Sequence, residues 1–315
     1  MEMKVGIAGV GAFGLKHLDA IACIDGVEVA CITGGGDTAR LAAVASRYRV
    51  PKVLPSLEAC LAEPDLDAMI LCGPTQVHAA QALACLDAGK HVQIEIPMAD
   101  NLAGARALVA KQKETGLVAM AGHTRRYNPS HQWMHQRIQR GELALQQLDV
   151  QTYFFRRTNV NAQGQPRSWT DHLLWHHACH SVDLFQYQTG EVAQHVHGMQ
   201  GPLSPQLGIA MDMSVQLKVA SGALCTLSLS FNNQGPQGSF FRYICDNGTY
   251  LARYDELVDG DGNVIDVSGV DVSLNGIELQ DRDFFAAIGN GHEPSSSVAR
   301  VLPAYETLDR IEKAL

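Results

Sequence analysis

Short apolar runs alternate with helix-spaced apolar positions through the first 122 residues. Residues 4–9, KVGIAG, form an apolar run ending in glycine, and residues 12 to about 23 carry helical spacing. A second run, VEVACI at 27–32, is rich in β-branched residues. Helical spacing returns at 39–48. A short strand at 53–54 and a short helix at 57–61 lead to a buried strand at 68–72. A helix at about 77–88 follows, with Gly89 placed to end it. Residues 91–95 are strand, 102–115 helix closed by Gly116, and 118–121 strand. Regular alternation of strand and helix predicts a parallel sheet with helices on both faces.

The pattern changes after residue 122. Residues 129–141 and 172–189 are helical, and 148–156 is strand-like. Four further strands are predicted at 194–199, 212–219, 223–231 and 240–246, joined in places by turns such as Ala220-Ser221-Gly222. This predicts a mostly antiparallel sheet with helices over one face. Two short helices, 281–288 and 297–313, close the chain. No internal repeat or low-complexity tract is present.

Composition narrows the function classes. A length of 315 residues suggests about two domains. With 33 acidic and 24 basic residues the formal charge is −9. That argues against nucleic acid and anionic membrane as partners. An anionic substrate would need a local basic patch. Eight cysteines are scattered without a CxxC pair, which reads as reduced thiols rather than a disulfide framework. The start of the chain runs straight into a strand pattern, and no apolar run approaches the ~20 residues that span a bilayer. The expectation is a cytoplasmic protein.

The first strand ends in Gly9-Val10-Gly11-Ala12-Phe13-Gly14, and a helix follows. Strand, Gly-x-Gly-x-x-Gly and helix together form a dinucleotide fingerprint in its required context. Gly9 allows the tight turn, Gly11 the approach of a pyrophosphate, and Gly14 close packing of the helix. The helix N-terminus offers N–H groups and a positive dipole end to the phosphates. The acid expected about 20 residues further on is replaced by Thr33-Gly34-Gly35-Gly36. Small residues there leave room for a 2′-phosphate, and Arg40 can reach it. This leans to NADP. Asp37 keeps NAD open as a cofactor through the ribose hydroxyls.

The glycine turn, Gly73-Pro74-Thr75-x-x-His78, Gly89-Lys90-His91-Val92-x-x-Glu95-x-Pro97 and His176-x-x-x-His180-x-x-Asp183 occur in this order along nearly the whole chain. Together they resemble the Gfo/Idh/MocA oxidoreductase family. The resemblance implies an α/β Rossmann domain followed by an α+β domain with an open-faced, mostly antiparallel sheet. Residues 1–122 are then the dinucleotide-binding domain, and 123–315 the substrate-binding and oligomerisation domain, with the C-terminal helix free to pack back on the first. A homodimer or homotetramer is implied. Cys72, Gly73, Pro74, Thr75, His78, Glu95, Pro97, His123 and Trp169 join Gly9, Gly11, Ala12, Phe13, Gly14, Thr33, Asp37 and Arg40 as cofactor-binding candidates. Trp169 either covers the nicotinamide or packs.

Two departures matter. The family reads Glu-Lys-Pro where this chain has Glu95-Ile96-Pro97, so the lysine usually assigned to catalysis is absent. On the second-domain helix, His176 stands where the family commonly has Asp. The stretches 122–126, 153–157, 166–177 and 240–249 carry a narrower resemblance, to a branch acting on a muconate semialdehyde of aromatic catabolism. That implies a small dicarboxylate substrate, closed into a cyclic hemiacetal and oxidised to a lactone. A sugar or polyol dehydrogenase of the same family and a catalytically inactive dinucleotide sensor are the competing readings.

The chemistry then falls to histidines and arginines. His172, His176 and His180 recur every four residues, which on an α-helix places them on one face. No Glu or Cys completes a metal-ligand set, so no metal is expected. The resemblance places His180 at the catalytic histidine, as base for the hydroxyl proton, with His176 as its partner. Asp183 is assigned to the substrate site, orienting an imidazole, or else to packing. Arginines pair with carboxylates bidentately. The candidates are Arg125, Arg126, Arg156, Arg157 and Arg167, with Arg125 or Arg126 the first choice because they follow the last strand of the parallel sheet.

Overall fold

A computed structural model describes residues 2–35, 37–160, 164, 166–167, 169–268 and 276–315. Two compact units divide the chain: Met1–His123 with Val272–Leu302, and Thr124–Asp271 with Pro303–Leu315. The division differs from a single cut at residue 122, because residues 272–302 return to the first unit.

The first unit opens with β1 (Met3–Ala8), α1 (Ala12–Ile21), β2 (Val27–Thr33), α2 (Thr38–Tyr48), β3 (Lys52–Val53) and α3 (Leu57–Leu61). It continues with β4 (Ala68–Leu71), a 3₁₀ turn at Thr75–Val77, α4 (His78–Asp87), β5 (His91–Ile94), α5 (Leu102–Thr115) and β6 (Ala119–Ala121). The strands are all parallel, in the order β3-β2-β1-β4-β5-β6. Helices on both faces bury the sheet completely at Val5, Ile7, Ile32, Met69, Ile70, Leu71, Val92 and Ile94, which is why these strands read as continuous apolar runs. Strand order reverses between β1 and β4, and ligands bind open α/β sheets at the carboxyl ends of strands flanking such a point.

The second unit contains α6 (Pro129–Gln139), β7 (Leu145–Tyr153), a π-helical segment at Leu173–Ala178, α7 (Cys179–Thr189) and the strands β8 (His195–Gln200), β9 (Asp212–Lys218), β10 (Leu224–Ser230), β11 (Gly238–Cys245), β12 (Gly248–Arg253) and β13 (Glu256–Asp259). Its sheet runs β13-β12-β11-β7-β10-β9-β8. Every pairing is antiparallel except β7 with β10. Burial alternates along β9 and β10, so one face is covered and the other open. Helix α7 is buried almost all round, from Cys179 through Gln188. Two helices close the chain, α8 (Ile277–Asn290) and α9 (Val298–Glu312); α8 belongs to the first unit and α9 counts with the second from Pro303.

Three sequence expectations change. β12 and β13 were not foreseen, because each is short and buries a single side chain, Ala252 and Leu257, which leaves no alternation to read. The helix expected at 281–288 is longer at both ends. The helix expected over 172–189 is two segments, the first of them π-helical. Among the described residues no helix is long and apolar enough to cross a membrane.

Candidate active site

In the first unit the glycine turn links β1 to α1 at the point where strand order reverses. Gly9 has φ +96°, and a Cβ there would lie 2.7 Å from the backbone of Cys72 at the end of β4. Its glycine is required by the neighbouring strand end as much as by the turn itself. A Cβ at Gly14 would lie 2.0 Å from the carbonyl oxygen of Gly9, so the helix rests directly on the turn. Gly11 is different. A Cβ there meets nothing within 4 Å. It is the N-cap of α1, makes no side-chain cap, and the first helical turn carries no acid. Open space over free N–H groups is what a pyrophosphate needs, so the residues fit a dinucleotide.

Around the turn, Gly9 N–H donates to buried Thr33 O at 2.8 Å. Asp37 caps α2, accepting from Arg40 N–H at 3.0 Å, and the Arg40 guanidinium donates to Val10 O at 2.9 Å. Arg40 is thereby held against the turn. Ala12 and Phe13 are exposed at the start of α1. On β4, burial raises the pKa of the Cys72 thiol, which disfavours a thiolate. Pro74 precedes the 3₁₀ turn that begins at buried Thr75. His78 ties two strand ends together: its ring nitrogens lie 2.8 Å from Pro97 O and 2.9 Å from Gly73 O. His123 is fully buried after β6.

A network not foreseen from sequence holds Glu95. His17 on α1 is fully buried. Its Nδ1 donates to both oxygens of Asp281 at 2.9 Å and its Nε2 to Glu95 Oε1 at 3.1 Å. Gln93 donates to the same Asp281 at 2.7 Å. Burial opposes a charge on His17, but Asp281 overcomes it and raises its pKa well above 6.5. The signal was present: His17 falls on the buried stripe Gly14, His17, Leu18, Ile21 of α1. Ile96, in the place of the family lysine, is buried and apolar.

In the second unit the expected arginines separate into three kinds. Arg126 pairs bidentately with Asp183, at 2.8 Å from Nε and 2.6 Å from Nη2, with both side chains buried. These two expected substrate contacts are taken up by each other, because a buried guanidinium needs a buried carboxylate. Arg125 lies over the rings of Tyr254 and Phe241, 4.7 and 5.7 Å from their centroids, and donates to Asn128. Burial lowers its pKa. Arg157 is exposed over Phe155 and donates to Asn232 Oδ1 and the Arg156 carbonyl.

Arg156 and Arg167 converge instead on Asp171. Arg156 Nη2 bonds one carboxylate oxygen, and Arg167 Nη1 the other at 3.1 Å. His177 Nε2 lies 3.8 Å from the same carboxylate. Burial opposes the charge of Asp171, yet His177, His176 and Arg156 hold its pKa well below the usual carboxylate range. The rings of His176 and His177 are 5.0 Å apart. Trp169 packs against His176 at 5.9 Å and under Arg167 at 4.8 Å. One ligand atom each from Asp171, His176 and His177 falls within a 4.8 Å cluster. Two guanidiniums already occupy the carboxylate, so a divalent cation there would face two like charges.

The row of histidines is not a single α-helical face. His172 precedes the π segment and caps it, its Nδ1 accepting from Leu174 N–H at 3.2 Å. His176 lies in the π segment and His180 in the first turn of α7. Gly36 and Ser168, within stretches read above, lie outside the described residues.

Residues 3–123 match the oxidoreductase family with an NAD-binding Rossmann fold, and residues 129–271 match the C-terminal domain of bacterial oxidoreductases. The chain is 61% identical over 313 residues to a 4-carboxy-2-hydroxymuconate-6-semialdehyde dehydrogenase of Sphingobium sp. strain SYK-6, covering 99% of each. It is 23% identical to an inositol 2-dehydrogenase of Paenarthrobacter aurescens, covering 95% of this chain and 92% of the relative. A solved levoglucosan dehydrogenase in complex with NADH has the same fold, with a TM-score of 0.88 at 19% identity, covering 100% of this chain and 97% of that one. A glycine turn at a parallel-sheet switch point, followed by an open-faced sheet domain, is thus matched in sequence from end to end: the chain belongs to the Gfo/Idh/MocA oxidoreductase family.

Proposed function

We propose that the chain oxidises the cyclic hemiacetal of 4-carboxy-2-hydroxymuconate-6-semialdehyde to 2-pyrone-4,6-dicarboxylate. The observation that carries this is the 61% identity over 99% of the chain to a dehydrogenase of that semialdehyde. The arginine cluster at Asp171 supports it. In a chain of net charge −9, two guanidiniums facing one carboxylate are a local site for an anion.

When bound, the dinucleotide supplies the hydride acceptor. The hemiacetal carbon loses its hydrogen with two electrons, the hydroxyl loses its proton, and a C=O bond forms to give the lactone. His180 is assigned as the base for that proton and His176 as its partner, because histidine titrates near the operating pH. The ring oxygen is already bonded to the reacting carbon, so no cysteine thioester is needed. The raised pKa of Cys72, beside the glycine turn, fits that route.

Arg40 supports NADP over NAD. Its guanidinium donates to Val10 O beside the glycine turn, and the chain has the small residues Thr33, Gly34 and Gly35 where a carboxylate would repel a 2′-phosphate. The homodimer or homotetramer expected from the family is retained as part of this proposal.

The test is to supply the purified chain with the semialdehyde, and separately with inositol or glucose, and each cofactor. The semialdehyde with NADP should be turned over fastest. His180→Ala should lower kcat by about 10²–10⁴ with cofactor affinity unchanged. Arg40→Ser should raise KM for NADP about tenfold, the loss expected for one charged hydrogen bond, and leave NAD nearly unaffected. Faster turnover of a polyol would overturn the substrate, and turnover of nothing would favour a sensor.

A further inference from the structure

Arg156 and Arg167 converge on one buried carboxylate, Asp171. Asp171 is 6% exposed, and the two arginines are 17% and 16% exposed. Two largely buried positive charges therefore share one negative charge. An uncompensated charge out of water is costly, and the structure supplies no second carboxylate on this cluster among the described residues. Donor capacity is left over as well. Arg156 Nη1 and Arg167 Nε are buried and have no hydrogen-bond partner among the described residues. Buried polar groups are normally satisfied, so both point to a missing acceptor.

The surroundings select the kind of acceptor. Arg156 lies over the ring of Phe231 at 4.7 Å, and Arg167 over Trp169 at 4.8 Å. Contact with an aromatic ring holds each guanidinium in place without using its N–H groups. A planar, anionic, two-oxygen group is what two fixed forks recognise. We propose that Arg156 and Arg167, yoked through Asp171, are the clamp that takes one carboxylate of the substrate. Arg156 and Arg167 are the binding groups and Asp171 is a positioning residue. The proposal rests on the dicarboxylate reading above and names where one carboxylate goes.

The probe is isophthalate, whose two meta carboxylates on a six-membered ring stand for those of the pyrone product. It is titrated calorimetrically into the full chain. Arg156→Gln and Arg167→Gln should each weaken binding about 10–100-fold, the loss expected for charged hydrogen bonds. Arg242→Gln, which removes an exposed arginine on β11, controls for net charge and should leave binding unchanged. Equal affinity in all three variants, or no millimolar binding by the wild type, overturns the clamp. If a Gln variant fails to fold, Arg156→Lys and Arg167→Lys carry the test: they keep the charge, lose the fork, and should still bind more weakly than wild type, whereas wild-type affinity overturns the clamp. Asp171→Asn should raise KM for the dicarboxylate about tenfold while KM for the dinucleotide stays constant; tighter dicarboxylate binding would overturn its positioning role. Arginine-dependent isophthalate binding without semialdehyde turnover would sink the proposed function and leave the clamp standing. Turnover with unchanged KM in the Gln variants would do the reverse.

Discussion

Replacing Gly11 and Gly14 by alanine, one at a time, separates binding from folding within a single turn. At Gly14 the new methyl carbon would sit 2.0 Å from the Gly9 carbonyl oxygen, and contacts under 3.0 Å essentially never occur. Helix α1 must therefore retreat by about 1 Å or more from backbone that cannot yield. Overpacking of this kind costs about 1–3 kcal/mol. At roughly 2–4 °C per kcal/mol for a unit of this size, Tm should fall by about 2–12 °C. At Gly11 the methyl group meets nothing within 4 Å and the backbone is extended, φ −72° and ψ −158°. Tm should hold within a couple of degrees. The methyl group instead fills the space above the free N–H groups. Loss of one or two charged hydrogen bonds, about 1.5–3 kcal/mol each, weakens dinucleotide binding by at least tenfold. Thermal unfolding by circular dichroism and calorimetric titration of cofactor measure the two effects on the same samples. A Gly11→Ala chain that binds cofactor like wild type would refute the placement of the pyrophosphate. A Gly14→Ala chain with unchanged Tm would refute the packing argument.

Two further outcomes follow from the buried ion pairs. Asp183→Asn leaves Arg126 as a buried charge without its carboxylate and should destabilise by about 3–5 kcal/mol in denaturant unfolding, with a loss under about 1 kcal/mol contradicting the pair's burial; Arg126→Met with Asp183→Leu should recover part of it. His17 has a folded-state pKa above its unfolded value of about 6.5, so its stabilisation is full below that pH and is lost as pH rises through the raised value. Wild-type stability should decline from about pH 6.5 upward and the decline should flatten in His17→Gln; an identical slope in both chains would rule out His17 as its source.

The parallel half of the fold was legible because its strands are buried on both faces and its helices are amphipathic. Strands β1, β2 and β4 and helices α3 and α5 fall within a residue or two of expectation. The glycine turn was legible because few residue patterns satisfy a positive φ, a close helix and an open anion site together. Partners of charged groups were not legible. Arg126 and Asp183 are 57 positions apart, and His17 and Asp281 264 apart, so only the fold reveals that they pair. Asp171 was passed over because its importance lies in what meets it, Arg156 from 15 positions away and Arg167 from four. The histidine row misled for a different reason: i to i+4 spacing was read with α-helical geometry, and the backbone there is π-helical up to Ala178.

That π segment makes the histidine register a matter of residue count. A π turn bonds i to i+5 and so holds one residue more than the α turn it replaces. Such a turn can be created or erased by inserting or deleting a single amino acid, with the helices on either side otherwise intact. Removing one residue between His172 and His176 would let the helix relax to α-geometry and turn His176 and His177 to new bearings relative to His180. Such a deletion should shift the bearings of the histidines while leaving the flanking elements in place, a step that comparison of side chains at aligned positions would not register. Engineered deletions across residues 173–178 are a direct way to explore it.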